Sequence, residues 1–129
     1  MGSEDEREGE DRWWLGWRGL RVRQVEASGQ GSIVHIGERS ELTLPAQGFT
    51  LRSASHADDA PTEADAVTAD LAGDTVLSCV AFKTGALRVV FQSGLRLDIQ
   101  GQAWSAVGES GRSWVSLPDG LSTTASGTT

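Results

Sequence analysis

A single cysteine, Cys79, stands in 129 residues. That excludes an intramolecular disulfide and any Cys-rich zinc site, and it suits a reducing compartment. No apolar run approaches the roughly eighteen residues that a membrane-spanning helix needs. The chain opens on acids instead of a basic stretch followed by an apolar one, so no secretory signal is read. The expectation is a soluble, cytoplasmic protein with no membrane contact. Positive charge is also scarce. Eleven Lys and Arg against 18 acids give a net charge of −7, with a sequence pI near 4.7. Binding a phosphate backbone needs clustered cations that displace counterions, and these are scattered, so nucleic acid is not an expected partner. Aromatics make up 6% and hydrophobic residues 38%, enough for one lean core and one domain, which excludes a two-domain enzyme.

The charge that is present is unevenly placed. Glu4, Asp5, Glu6, Glu8, Glu10 and Asp11 stand against Arg7 alone at the N-terminus, leaving the rest of the chain close to neutral. Residues 1–12 and 122–129 offer almost no apolar surface to offset their ordering entropy and read as disordered tails around one β-rich domain, 13–121. A polar stretch, 53–63, separates two more hydrophobic halves. At an offset of 55 residues Val22, Val25, Val34, Ile36, Leu42 and Leu44 fall on Leu77, Val80, Val89, Phe91, Leu97 and Ile99, which suggests a duplicated supersecondary unit.

Both halves read as strands. Leu87, Val89 and Phe91 alternate with Arg88, Val90 and Gln92, and Leu95, Leu97 and Ile99 with Arg96 and Asp98, giving a core face and a wet face. Turns at 83–85 and 93–94 carry Gly85 and Gly94 where a tight hairpin requires positive φ. Parity breaks between Val22 and Val25 and between Leu77 and Val80, which predicts a β-bulge in each half. Ala64, Val67 and Leu71 lie at helical spacing behind Pro61 and Thr62, so a short helix is expected over 62–72, ended by Gly73. The fold expected is mainly β: an antiparallel sheet of two related three-strand units, one short helix between them, and a C-terminal hairpin. The run AFKTGALRVVFQSGLRLDIQ, then Ala103-Trp104, a glycine turn and SWVSLPDG, resembles an uncharacterised family of small bacterial proteins, mostly actinobacterial, without an established activity. The resemblance covers 18–121. It implies an apolar final strand ending in an aromatic, where this chain has STTASGTT.

Five tryptophans are the first candidate site. Trp13, Trp14 and Trp17 follow the acidic segment, and adjacent side chains in a strand cannot both face one core. They form either an aromatic platform for a partner or a packed plug, whereas Trp104 and Trp114 have the spacing of sheet-covering residues. His56, Asp58, Asp59, Glu63 and Asp65 form a dense polar group whose spacing matches no metal loop; a solvated acidic loop accounts for them. Cys79 lies in an apolar strand and reads as a buried small hydrophobe, and neither His35 nor His56 has the context of a catalytic base. The glycines at 29, 31 and 37 lack the Lys-Ser/Thr or helix start of a phosphate loop. No catalytic, metal or cofactor site is expected, and the chain is not read as an enzyme. The function expected is a protein-interaction module, in specific form a small acidic immunity-like neutraliser of a basic toxin. Trp13, Trp14, Trp17, Glu4, Glu6 and Glu8 are its partner-binding residues, and the partner is a basic protein. A non-catalytic β module that binds a small molecule is the alternative. The oligomeric state is not legible.

Overall fold

The computed structural model describes residues 6–28, 31–45, 49–52, 71–109, 111–117 and 119–124, with the backbone alone at 27, 28, 51 and 52. The short runs rich in β-branched and large apolar residues become twelve strands: β1 (Glu6–Glu8), β2 (Arg12–Leu15), β3 (Val22–Ser28), β4 (Gly31–Ile36), β5 (Ser40–Leu44), β6 (Phe49–Arg52), β7 (Val76–Phe82), β8 (Leu87–Phe91), β9 (Arg96–Ile99), β10 (Ser105–Val107), β11 (Ser113–Leu117) and β12 (Gly120–Thr124). Alternation is strict where it was expected. Leu87, Val89 and Phe91 are buried and Arg88 is exposed, while Ser40, Leu42 and Leu44 are buried and Glu41 and Thr43 exposed. Gly85 and Gly94 turn the hairpins with φ of 105° and 100°.

The strands form two antiparallel six-strand sheets, ordered β1-β2-β7-β8-β9-β6 and β12-β11-β10-β5-β4-β3. The single sheet expected from the sequence is therefore corrected to two, one holding each three-strand unit. The chain crosses between sheets three times, first between β2 and β3. After β5 it crosses so that β6 pairs with β9, Phe49 opposite Ile99. After β9 it crosses back so that β10 pairs with β5, Ala106 opposite Leu42. The inner faces share one core in which Trp17, Trp114, Phe49 and Phe91 are the largest fully buried side chains. Trp104 Nε1 donates to the Gly85 carbonyl at 2.7 Å, tying the start of β10 to the β7–β8 turn.

The two meanders, β3-β4-β5 and β7-β8-β9, pair in matching registers. Val22 opposes Ile36 as Val76 opposes Phe91, Val25 opposes Val34 as Cys79 opposes Val89, and Val34 opposes Leu42 as Val89 opposes Leu97. Each first strand has a register shift at the same point, Val22/Gln24 and Val76/Ser78. The offset of 55 thus holds in the second and third strands but is one residue shorter in the first, where the buried counterparts of Val22 and Val25 are Val76 and Cys79. Leu77, expected inward, is 47% exposed, because the bulge pushes it out of the alternation.

Both ends depart from expectation. Residues 6–8 are a strand paired to β2, which corrects the disordered tail expected over 1–12 at these positions; residues 1–5 lie outside the described residues. The C-terminal hairpin is present, with Leu117 opposite Gly120, and continues to Thr124, so 122–124 belong to a strand and not to a tail. The helix expected over 62–72 lies outside the described residues except at its end, where Leu71 is helical and fully buried.

The β10–β11 turn is fastened to the β4–β5 turn by Glu109, whose carboxylate accepts hydrogen bonds from Ser40 Oγ at 2.6 Å and the Arg39 amide at 2.9 Å. Burial alone would raise this carboxyl, but the bonds from Ser40 and from neighbouring amides outweigh it and hold it below the usual range.

Two outcomes are expected. In urea, Phe91→Ala costs about 3–5 kcal/mol, whereas Leu77→Ser stays within about 0.5 kcal/mol; equal losses would contradict the bulge assignment. A group whose folded pKa is lowered contributes stability above its unfolded value and loses it as pH falls through the folded one. The thermal midpoint of the parent should therefore fall more steeply than that of Glu109→Gln below the ordinary carboxylate range, with the two profiles parallel at neutral pH.

Candidate functional site

Strand alternation settles what WWLGW does. In β2, Trp13 and Leu15 point inward and are buried, and Trp14 points outward and is half-buried. Gly16 then turns the chain with φ of +79°, at a point where a Cβ would lie 3.1 Å from the Glu6 amide nitrogen. Only glycine permits both the turn and the close approach of β1. The turn drops Trp17 into the core, with none of its surface exposed.

The acidic segment lies back along β2 in the register Glu6↔Leu15, Arg7↔Trp14, Glu8↔Trp13. Alternation places Glu6, partly buried, and Glu8, exposed, on one face and Arg7 on the other. Glu6 Oε2 is 3.5 Å from Arg112 Nε, and the Arg112 guanidinium lies 4.7 Å above the Trp13 ring. Trp13 in turn meets Trp114 edge-on, with centroids 5.9 Å apart. Glu8 accepts a hydrogen bond from Lys83 Nζ at 2.6 Å. Asp11 is paired with Arg12 at 2.9 Å, and that hydrogen bond lowers its carboxyl pKa. Of the partner-binding residues read from the sequence, Glu6, Glu8, Trp13, Trp14 and Trp17 come together on β1, β2 and the turn after it; Glu4 lies outside the described residues. The acids serve as internal counter-charges, and Trp13 and Trp17 are plug residues. Trp14 remains accessible.

Beside Trp14 the outer face of the first sheet is concave. A groove of about 170 Å³ opens between β1, the turn after β2, and β7. Its floor is apolar, made by Trp17 and Cys79; Trp14 and Leu77 form its walls, and Arg7 and Arg18 stand at the edge. The Arg7 guanidinium lies 4.4 Å from the centroid of the Trp14 ring, a cation–π geometry that holds its planar fork in place. Arg18 is exposed. Burial pushes the Cys79 thiol well above its usual pKa, so it is a lining group and not a nucleophile.

Leu77 is the residue that the sequence concealed. In the other meander the same bulge position, between paired Val22 and Gln24, holds Arg23, which is exposed and donates to the Gly37 carbonyl. The bulge itself accommodates a charged side chain, so an exposed leucine is not demanded by the fold. The parity break was legible as a bulge, but which residue it expels depends on cross-strand register.

The remaining candidates are placed as follows. His56, Asp58, Asp59, Glu63 and Asp65 lie outside the described residues. His35, on the outer face of the second sheet, is paired with Glu26 at 2.5 Å and lies 3.7 Å from Glu41. Among the described residues no group of three His, Cys, Asp or Glu is arranged to hold a metal. A second open cleft, about 290 Å³, lies between Gly85, Gln102 and Leu117. Among the described residues no helix is long and apolar enough to cross a membrane.

Removing residues 1–11 takes away β1 and leaves Lys83 without its carboxylate and Arg112 without Glu6. A loss of about 1 kcal/mol moves the thermal midpoint of a domain near this size by about 3–6 °C. A fall of at least that size is expected by calorimetry, and an unchanged midpoint would show that the segment does not dock.

No curated protein and no solved structure matches the chain. A family model does, over residues 19–125, from the turn after Arg18 to the end of β12. The match leaves out β1 and β2 and takes in both meanders and the C-terminal hairpin. The chain belongs to a family of unknown function, DUF6188.

Proposed function

We propose that this protein is a non-catalytic interaction module that receives a side chain of a partner protein in the groove between β1 and β7. The observation that carries this is the exposed Leu77, 47% accessible, beside the stacked Arg7–Trp14 pair. Trp and Arg are enriched at the centres of protein interfaces, where an apolar anchor enters a pocket ringed by groups that exclude water. At about 170 Å³ the groove is below the roughly 300–1,000 Å³ of small-molecule sites, which favours one inserted side chain over a free ligand. Within this class we keep a stoichiometric, immunity-like neutraliser of a toxin as the specific role, acting in the cytoplasm. The basic partner expected from a free acidic arm loses its main support, because Glu6 and Glu8 are engaged by Arg112 and Lys83. The alternative, a β module that binds a small molecule, draws support from the cleft beside Leu117, about 290 Å³; a ligand that survives purification would favour it.

We also propose that the meanders are copies of one unit extended by a fourth strand, β6 in one and β10 in the other. Their matched registers and bulges, and the reciprocal exchange of β6 and β10, support this.

The test is differential capture from the native host with the full chain, Trp14→Ser and Leu77→Asp, each checked for folding by circular dichroism. A protein retained near stoichiometry by the parent and lost by both variants is expected. For a neutraliser, that protein inhibits growth when expressed alone and is harmless beside this chain. Identical retention by all three would overturn the groove as the interface.

A further inference from the structure

Charge at the groove runs against charge in the chain. The molecule carries −7 overall; Arg12 pairs with Asp11, Lys83 with Glu8, Arg88 and Arg96 both with Asp98, and Arg112 with Glu6, while Arg21 and Arg23 donate to backbone carbonyls. Arg7 and Arg18 make neither kind of contact among the described residues. Both line the groove, and neither has a carboxylate partner among the described residues. Among the described residues, two guanidinium groups without a carboxylate partner thus line one groove in a chain of net negative charge.

The arrangement is also pre-ordered. Arg7 is held against the Trp14 ring at 4.4 Å, and stacking through the guanidinium face leaves its N–H edges free for the two oxygens of a carboxylate. Beneath them Trp17, fully buried, lines the floor, and its Nε1 finds no acceptor among the described residues.

Resting on the interaction role proposed above, we infer that the groove recognises an acidic segment of the partner protein. An apolar side chain of that segment seats between Trp14 and Leu77, and flanking Asp or Glu carboxylates pair with Arg7 and Arg18.

The experiment uses the full chain and three synthetic nonapeptides sharing the centre Leu-Phe-Leu, flanked on both sides by three Glu, three Gln or three Lys. Binding is followed through the indole N–H resonances of Trp14 and Trp17 and by titration. The Glu-flanked peptide is expected to shift both resonances and to bind roughly tenfold tighter than the Gln-flanked one, with the Lys-flanked peptide weakest. The double variant Arg7→Glu with Arg18→Glu should invert that order. Arg18→Glu alone, at an exposed position, should reduce the preference without disturbing the fold, and serves should the double variant unfold. Equal binding of the three peptides, an order that survives charge reversal, or no resonance shift at millimolar peptide would each overturn the inference. Binding that is indifferent to flanking charge but abolished by Leu77→Asp would leave the interaction role standing and remove only the acidic preference. Identical capture by parent and variants in the host would instead remove the groove as the interface itself.

Discussion

The exchange of one strand between two meanders is the constraint on which the rest of the architecture depends. With β6 on β9 and β10 on β5, neither meander completes its sheet from its own sequence neighbours. Each half supplies the other's fourth strand, so the two sheets cannot separate without breaking backbone ladders as well as apolar contacts. Phe49 and Trp104 begin the two exchanged segments and are both buried, which places a large anchor at each crossing. A lean composition suffices because one core serves both sheets.

The N-terminal segment is an addition to that frame. β1 and β2 extend the first sheet beyond β7 and lie outside the family match. Their attachment combines unlike forces: the edge-on contact of Trp13 with Trp114, the Arg112 guanidinium above Trp13, and the carboxylates of Glu6 and Glu8 against Arg112 and Lys83. Exposed ion pairs contribute little individually. Here they also determine which way the segment faces. With Glu6 and Glu8 turned toward Arg112 and Lys83 on one face, the pleat leaves Arg7 on the other, against the Trp14 ring, where it lines the groove.

The groove follows from the same geometry. β7 has a neighbour on each side, β2 and β8, and its bulge expels Leu77 beside β2; β3, its counterpart, is an edge strand whose bulge expels Arg23. Two strands with the same register shift thus carry opposite chemistry at the same backbone feature. The difference lies in what stands alongside: β7 is flanked by β2, whose Trp14 lines the groove beside Leu77.

Period-two alternation in residues 87–99, turn glycines at 85 and 94, and the opposite orientations of Trp13 and Trp14 were legible in the sequence because they are local: pleat and turn geometry fix them within a few residues. So was the presence of a bulge in each half. Tertiary structure decided that the units occupy two sheets instead of one, because strand exchange joins segments some fifty residues apart and leaves no local trace. It decided that Leu77 and not Val76 is expelled, because a bulge is defined against the partner strand. It also decided that Glu6, Arg7 and Glu8 form a strand. Composition counts apolar surface and finds none there, whereas their stabilisation comes from Arg112, Lys83 and Trp14, and the first two of these stand far away in the chain.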